Sequence, residues 1–193
     1  EILRCLVGSE MCIRDSYKKK AWDFLLALGF DPAHLRFKDH DKLAHYAKSA
    51  CDIQYLFPIG WSELNGIHNR TDYDLSRHQE YSGKSMLYTD PVTNEKYIPY
   101  VVEYSIGADR LMLAALSEAY DEETLENGEV RTVMHFHPAL APFKAAILPL
   151  SKKEVLSGPA MELYNELSKE FMVDYDETGS IGKRYRRCLL YTS

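Results

Sequence analysis

Three things are scarce in these 193 residues: cysteine, positive charge and long apolar runs. No uninterrupted apolar stretch approaches the ~20 residues that a membrane-spanning helix needs. The formal net charge is −6, with 23 Lys and Arg against 29 Asp and Glu, which argues against a generally adhesive polyanion binder. A local basic patch, Lys183, Arg184, Arg186 and Arg187, survives near the C-terminus. There are four cysteines, and three of them (Cys5, Cys12 and Cys188) fall in terminal stretches of doubtful origin. ILRCLVGSEMCIRDS and CLLYTS have neither period nor caps and resemble translated adapter sequence. Residues 1–16 and 188–193 are therefore expected to be a non-native leader and tail. With them set aside only Cys51 remains, which excludes a disulfide framework or a cysteine metal centre and suits a reducing cytoplasm. The rest is expected to begin and end in mid-protein.

What is present reads as a mixed chain. KKKAWDFLLALG repeats Trp22, Leu25, Leu26 and Phe30 at helical spacing and stops at Gly29. DHDKLAHYAKSA predicts a second, short helix. DIQYLF and WSELNGI, joined by PIG, predict a hairpin. TDYDLSRHQEYSG, acidic at its start and closed by Gly83, predicts a helix. TDPVTNEK should project as a loop, and YIPYVVEYS should be an edge or bulged strand because of Pro99. GADRLMLAALSEAY, apolar nearly all round, predicts a buried helix, and DEETLENGE a solvated acidic connection. FKAAILPL, GPAMELYNELSKEFM and MVDYDE then alternate strand, helix, strand, the order of a parallel α/β module beginning near HPALAP.

Charge in apolar surroundings marks the candidate chemistry. Glu103 interrupts the β-branched, aromatic run YVVEYS, and a buried carboxylate needs a cation or several donors. Either an ammonium ligand or a structural arginine would serve. Ser105 shares its strand face. Arg110 opens a helix, where a cation loses a few tenths of a kcal/mol to about 1 kcal/mol. A bound anion would reverse that sign, Gly107 would permit close backbone approach, and the guanidinium fork matches phosphate. An ordinary pair between Arg110 and Asp109 or another carboxylate would also account for it. Glu63, between Gly60 and Gly66, could face a flat ligand, or the glycines could only make bends. His135 and His137 lack an evident third ligand, so no protein-held metal is expected. GSIGKR lacks the spacing of a phosphate-binding loop.

Four blocks, in order, carry a family resemblance: GWSELNGIHNRTDYDLSRHQEYSGK, YIPYVVEYSIGADRLMLAALSEAYDEE, HPALAPFKAAILPL and VDYDETGSIGKRYRR. Together they resemble the dimeric, class II type of glycyl-tRNA synthetase over residues 17–187. The resemblance implies an α+β fold. Residues 17–137 would be the C-terminal half of an antiparallel class II catalytic domain, and residues 138–187 the start of an α/β anticodon-binding domain. It implies that Arg110 binds ATP phosphate and acts in catalysis. It implies a glycine-binding stretch of Glu103, Tyr104, Ser105, Ile106 and Gly107, with Glu103 toward the ammonium group. ATP contacts would come from Glu63 and Leu64 and from Gly107, Ala108, Asp109 and Arg110. Implied partners are glycine, ATP with Mg²⁺, tRNA(Gly) and a second copy of the protein. Tyr104 stands where many relatives carry proline and Ala108 where valine is frequent. The first two class II signature motifs would lie upstream, so this stretch alone is expected to be inactive. The competing expectations are a threonyl, prolyl or histidyl enzyme of the same subclass, or a non-catalytic RNA-binding paralogue.

Overall fold

Antiparallel pairing organises the first part of the chain in a computed structural model that describes residues 10–188. Of the two terminal stretches set aside above, residues 1–9 and 189–193 lie outside the described residues. The chain divides into two units, 1–111 and 112–193.

In the first unit, helix α1 (Glu10–Ala27) ends before Gly29 in the left-handed region, as its periodicity predicts. A short 3-10 turn (Pro32–His34) leads into strand β1 (Leu35–Asp39), which pairs antiparallel with β2 (Ser49–Phe57). The predicted hairpin follows: β2 turns through Pro58 and Ile59 into β3 (Gly60–Asn69). Gly60, at φ 103°, takes the backbone conformation that L side chains resist. Helix α2 (Tyr73–Ser82) ends on left-handed Gly83, as expected. The two-residue strands β4 (Tyr88–Thr89) and β5 (Lys96–Tyr97) clamp the projecting loop between them. Strand β6 (Val102–Ile106) then returns to pair with β3, giving the sheet order β1-β2-β3-β6. Pro99 lies outside β6, on this edge strand's N-terminal side.

The helix predicted over DHDKLAHYAKSA does not form. Residues 40–48 are instead the connection from β1 to β2, and Asp39 pairs directly with Cys51. Paired residues lie ~5 Å apart, whereas a nine-residue helix would part its ends by about 13 Å. Sheet pairing therefore overrides the local period, and Leu43 stays 44% exposed.

The sheet has two unlike faces. Leu35, Cys51, Ile53, Tyr55, Phe57 and Ile67 are buried on one. Helix α1 covers that face: its Trp22 ring stacks on Phe37 at 5.0 Å, and Leu25 is fully buried. Fully burying such a side chain contributes ~1.5–3 kcal/mol, so α1 and the sheet stabilise each other. The other face carries Arg36, Asp52, Gln54, His68, Glu103 and Ser105, by the same alternation.

Helix α3 (Ala108–Ala119) follows β6. Only Ala114 and Ala119 are buried in it, while Met112 and Leu113 are 60% and 51% exposed, so the predicted all-round burial is not realised. The acidic stretch after it is no open connection. Strands β7 (Tyr120–Thr124) and β8 (Val130–Met134) form a hairpin, and across it Arg131 binds Glu123 at 2.6 Å.

The second unit ends in the expected parallel module. Strands β9 (Ala145–Ile147) and β10 (Val173–Tyr175) pair in parallel across helix α4 (Glu154–Leu167). The helix begins four residues before Gly158 and holds Pro159 inside it, which the sequence reading placed at its start. Helix α5 (Ile181–Cys188) contains the basic run, and half of that run is spent internally. Arg184 is buried and donates to the carbonyls of Pro149 and Gly179, while Arg187 binds Asp176 and the Thr178 carbonyl. The Thr178 hydroxyl and Arg187 together hold the Asp176 carboxyl well below the usual carboxylate range.

Candidate active site

The first unit gathers the residues singled out by charge onto one end of its polar face. Glu103 and Ser105 alternate on β6 and therefore point to the same side. The β3–β6 register sets Ser105 opposite Gly66 and Glu103 opposite His68. Gly66 is required by this packing. A Cβ there would stand 2.9 Å from Ser105 Oγ and 3.1 Å from His68 Nε2.

A β-bulge re-aims the next part of β3. Ile53 pairs with Asn65, but Gln54 pairs with Glu63, which leaves Leu64 as the extra residue. The Glu63 carbonyl consequently meets Arg110, whose Nη1 donates to it at 2.8 Å. Among the described residues Arg110 has no ion pair with Asp109, so the simplest structural explanation of its charge is absent. Glu63, Leu64, Ser105, Ile106, Gly107 and Arg110 line an open cleft of about 320 Å³. Arg110 is exposed there, at the start of α3, where the first-turn amides have no helical partners. Gly107 is under no steric pressure: a Cβ would touch only Arg110 Cβ, at 3.8 Å.

Glu103 has a protein cation as well. Arg70 Nη1 donates to Glu103 Oε2 at 2.6 Å, and the same guanidinium grips Asp74 through Nε at 2.6 Å and Nη2 at 3.1 Å. Its plane lies over the Tyr46 ring at 4.3 Å. The hydrogen bonds to Asp74 and Glu103 raise the Arg70 pKa further, and the bond from Arg70 lowers that of Asp74. One cation against two carboxylates leaves the cluster net negative, which still favours an incoming ammonium group. Thr71 holds a left-handed φ of 57° beside Arg70, tied by Asn69 Oδ1 and by its own bond to the Tyr46 carbonyl. A conformation costing of order 1–3 kcal/mol is thus held where it sets the Arg70 side chain.

Arg70 and Gly66 were missed by residue-level reading. The signal lay in their placement: Arg70 sits one residue beyond β3, opposite the strand that bears Glu103. Tyr104 was included in the glycine-binding stretch, but its side chain takes the opposite face, where Asn65 Nδ2 donates to its hydroxyl at 2.8 Å. Only its backbone belongs to the polar side. The two histidines of HFH fall past the end of β8. His135 lies 3.3 Å from Asp121, whereas His137 Nδ1 accepts from the Ala139 amide.

Comparison with known proteins shows what the chain resembles. A glycine–tRNA ligase of Clostridium kluyveri is 60% identical over 185 residues, 95% of this chain and 40% of that protein. Those of Clostridium perfringens and Geobacillus thermodenitrificans are 61% and 57% identical, over 189 and 185 residues. The chain is homologous to the glycine–tRNA ligases along almost its whole length. It spans about 40% of the length of these curated relatives. Residues 144–191 match the anticodon binding domain family, which agrees with the α/β module there. Among solved structures, a prolyl-tRNA synthetase of Giardia lamblia in complex with prolyl-adenylate aligns with 94% of this chain and 36% of its own. Its TM-score is 0.57 at 16% identity, a likeness of fold to a class II synthetase.

Proposed function

We propose that this chain supplies glycine and ATP contacts to a glycine–tRNA ligase, which activates glycine as its adenylate and transfers it to tRNA(Gly). The observation that carries the reading is one strand-to-helix unit: Glu103 and Ser105 share a face of β6, and Ser105 lines a cleft with the exposed guanidinium of Arg110. The names of the relatives support it.

In this reading Arg70 holds Glu103 Oε2 and leaves Oε1 to accept from the glycine ammonium, with Ser105 beside it. Arg110 meets an ATP phosphate, and the α3 amides add partial positive charge at the same point. The Glu63 and Leu64 backbone, set by the bulge, and Gly107 to Asp109 border the nucleotide. Mg²⁺ would arrive on the phosphates as part of the substrate, and Glu63 is the carboxylate that lines the cleft. Attack of the glycine carboxylate on the α-phosphorus forms the adenylate and releases pyrophosphate. Such catalysis is chiefly positioning and charge stabilisation. Glycine has no side chain to grip, so its ammonium group and the exclusion of bulk must set selectivity.

Residues 17–137 would then belong to the catalytic domain and residues from 138 onward to the anticodon-binding domain. The intact protein would act as a cytoplasmic homodimer. No helix of the described residues is long and apolar enough to cross a membrane.

The reading is tested in the intact protein by glycine-dependent ATP–pyrophosphate exchange. Glu103→Gln keeps the side-chain shape and removes the charge, and Arg70 keeps its grip on Asp74. A charge-assisted hydrogen bond contributes ~1.5–3 kcal/mol, so the KM for glycine should rise roughly 10- to 150-fold. The KM for ATP should stay near its original value. An unchanged glycine KM would remove Glu103 from the ammonium site.

A further inference from the structure

The polar face holds a second cluster, one strand away from Ser105, that the ligase reading leaves unused. Asp52 on β2 is opposite Gly66, and His68 lies two residues along β3 on the same face. His40 follows the last pair of β1 and folds back onto Asp52. Its Nε2 is 2.6 Å from Asp52 Oδ2, and His68 Nε2 is 3.6 Å from Asp52 Oδ1. All three donor atoms lie within 4.8 Å of one another.

Two of these atoms are orphans. Asp52 Oδ1 and His68 Nε2 are buried without a hydrogen-bond partner, and Asp52 as a residue is only 5% exposed. Each such group is costly to leave unsatisfied in the interior. A proton shared between them does not answer for it, because 3.6 Å is too long for a hydrogen bond. A single cation between them would satisfy both.

We infer that His40, Asp52 and His68 bind a divalent transition metal, with Zn²⁺ the best-fitting ion. Zinc takes imidazole nitrogen and carboxylate oxygen at about 2.0–2.2 Å in a tetrahedral arrangement. Two ligands on one such ion stand roughly 3.3–3.6 Å apart by that geometry, close to the gap between Asp52 and His68. His40 must retreat by less than ~1 Å from its hydrogen bond to join them. It stands on the 40–48 connection with its side chain 37% exposed, so it has room to do so. Three protein donors leave a fourth position, facing the cleft that is also lined by Lys38, Asp39, Asp41, Lys42 and Gln54.

The site is hard to read in the sequence, because the three residues are spread over 29 positions without a ligand-spacing motif. It also differs from the glycine and ATP contacts, since none of its three donors lines the Arg110 cleft.

The test is direct metal titration of the 193-residue chain after chelator treatment, with circular dichroism to confirm folding. Zn²⁺ should bind one per chain by calorimetry. Co²⁺ should give visible ligand-field bands of a tetrahedral site without thiolate charge-transfer absorption. His68→Gln and His40→Ala should each weaken Zn²⁺ by at least tenfold while the chain stays folded, so the buried Asp52 need not be altered. His135→Ala should bind as the parent does. Absence of Zn²⁺ binding by the folded chain, binding unchanged in both histidine variants, or loss in His135→Ala would overturn the site.

Discussion

Arg110→Ala, introduced into the intact protein, is expected to slow glycine-dependent pyrophosphate exchange by about 2–4 kcal/mol, roughly thirty- to nine-hundred-fold. That is the scale for removing one preorganised contact to charge that develops in the transition state. The fold should not suffer. The side chain is exposed, and its protein hydrogen bond is to the Glu63 carbonyl, which water can satisfy when the guanidinium is gone. Removing a cation from the first turn of α3 should even relieve a few tenths of a kcal/mol. Thermal unfolding therefore separates the two roles. A stable, inactive Arg110→Ala protein fits a phosphate ligand. Full activity, or lost activity accompanied by lost stability, would sink that assignment. Arg110→Lys keeps the charge but not the planar fork, so it should recover only part of the rate.

Gly66→Ala should have the other large effect, and through a different cause. The added methyl would sit 2.9 Å from Ser105 Oγ and within 3.1–3.2 Å of the His68 ring. Ser105 must rotate away or β6 must shift, at a cost typical of overpacking, ~1–3 kcal/mol. Either response displaces the hydroxyl that stands beside Glu103. The expected result is a lower unfolding temperature together with weaker glycine binding. Adding Ser105→Gly should restore room, and with it much of the stability, but not the glycine affinity. If Gly66→Ala alone left both stability and glycine KM unchanged, the close packing of β3 on β6 would not matter to the site.

How far the site was legible follows from the kind of signal each residue carries. Glu103 and Arg110 stood out because each is costly where it sits, one in an apolar strand and one at a helix start. That cost shows in any window of ten residues. Ser105 followed from strand alternation alone. Arg70 gave no such sign, since an arginine after a strand is ordinary; it becomes part of the site only when β6 returns beside β3. Gly66 likewise looked like a bend. It is an ordinary strand residue whose missing Cβ makes room for two side chains from different positions.

The same division runs through the fold. The hairpin of β2 and β3, helix α2 with its Gly83 stop, and the β9-α4-β10 module were readable because period, turn residues and caps are local. The 40–48 helix failed because the pairing of Asp39 with Cys51 brings the ends of that segment together. The acidic hairpin of β7 and β8 was missed because its charges are balanced across the pair, by contacts such as Arg131 with Glu123.

By itself, then, the sequence determined the class of the fold, the relatives it resembles, and the two charges that call for opposite partners. Tertiary structure alone decided what accompanies them. It set Arg70 against Glu103, turned the Glu63 carbonyl toward Arg110 through a bulge, and brought His40, Asp52 and His68 together. The reason is physical: propensity and periodicity act over a few neighbouring residues, whereas a site is made by strand register, which joins residues dozens of positions apart.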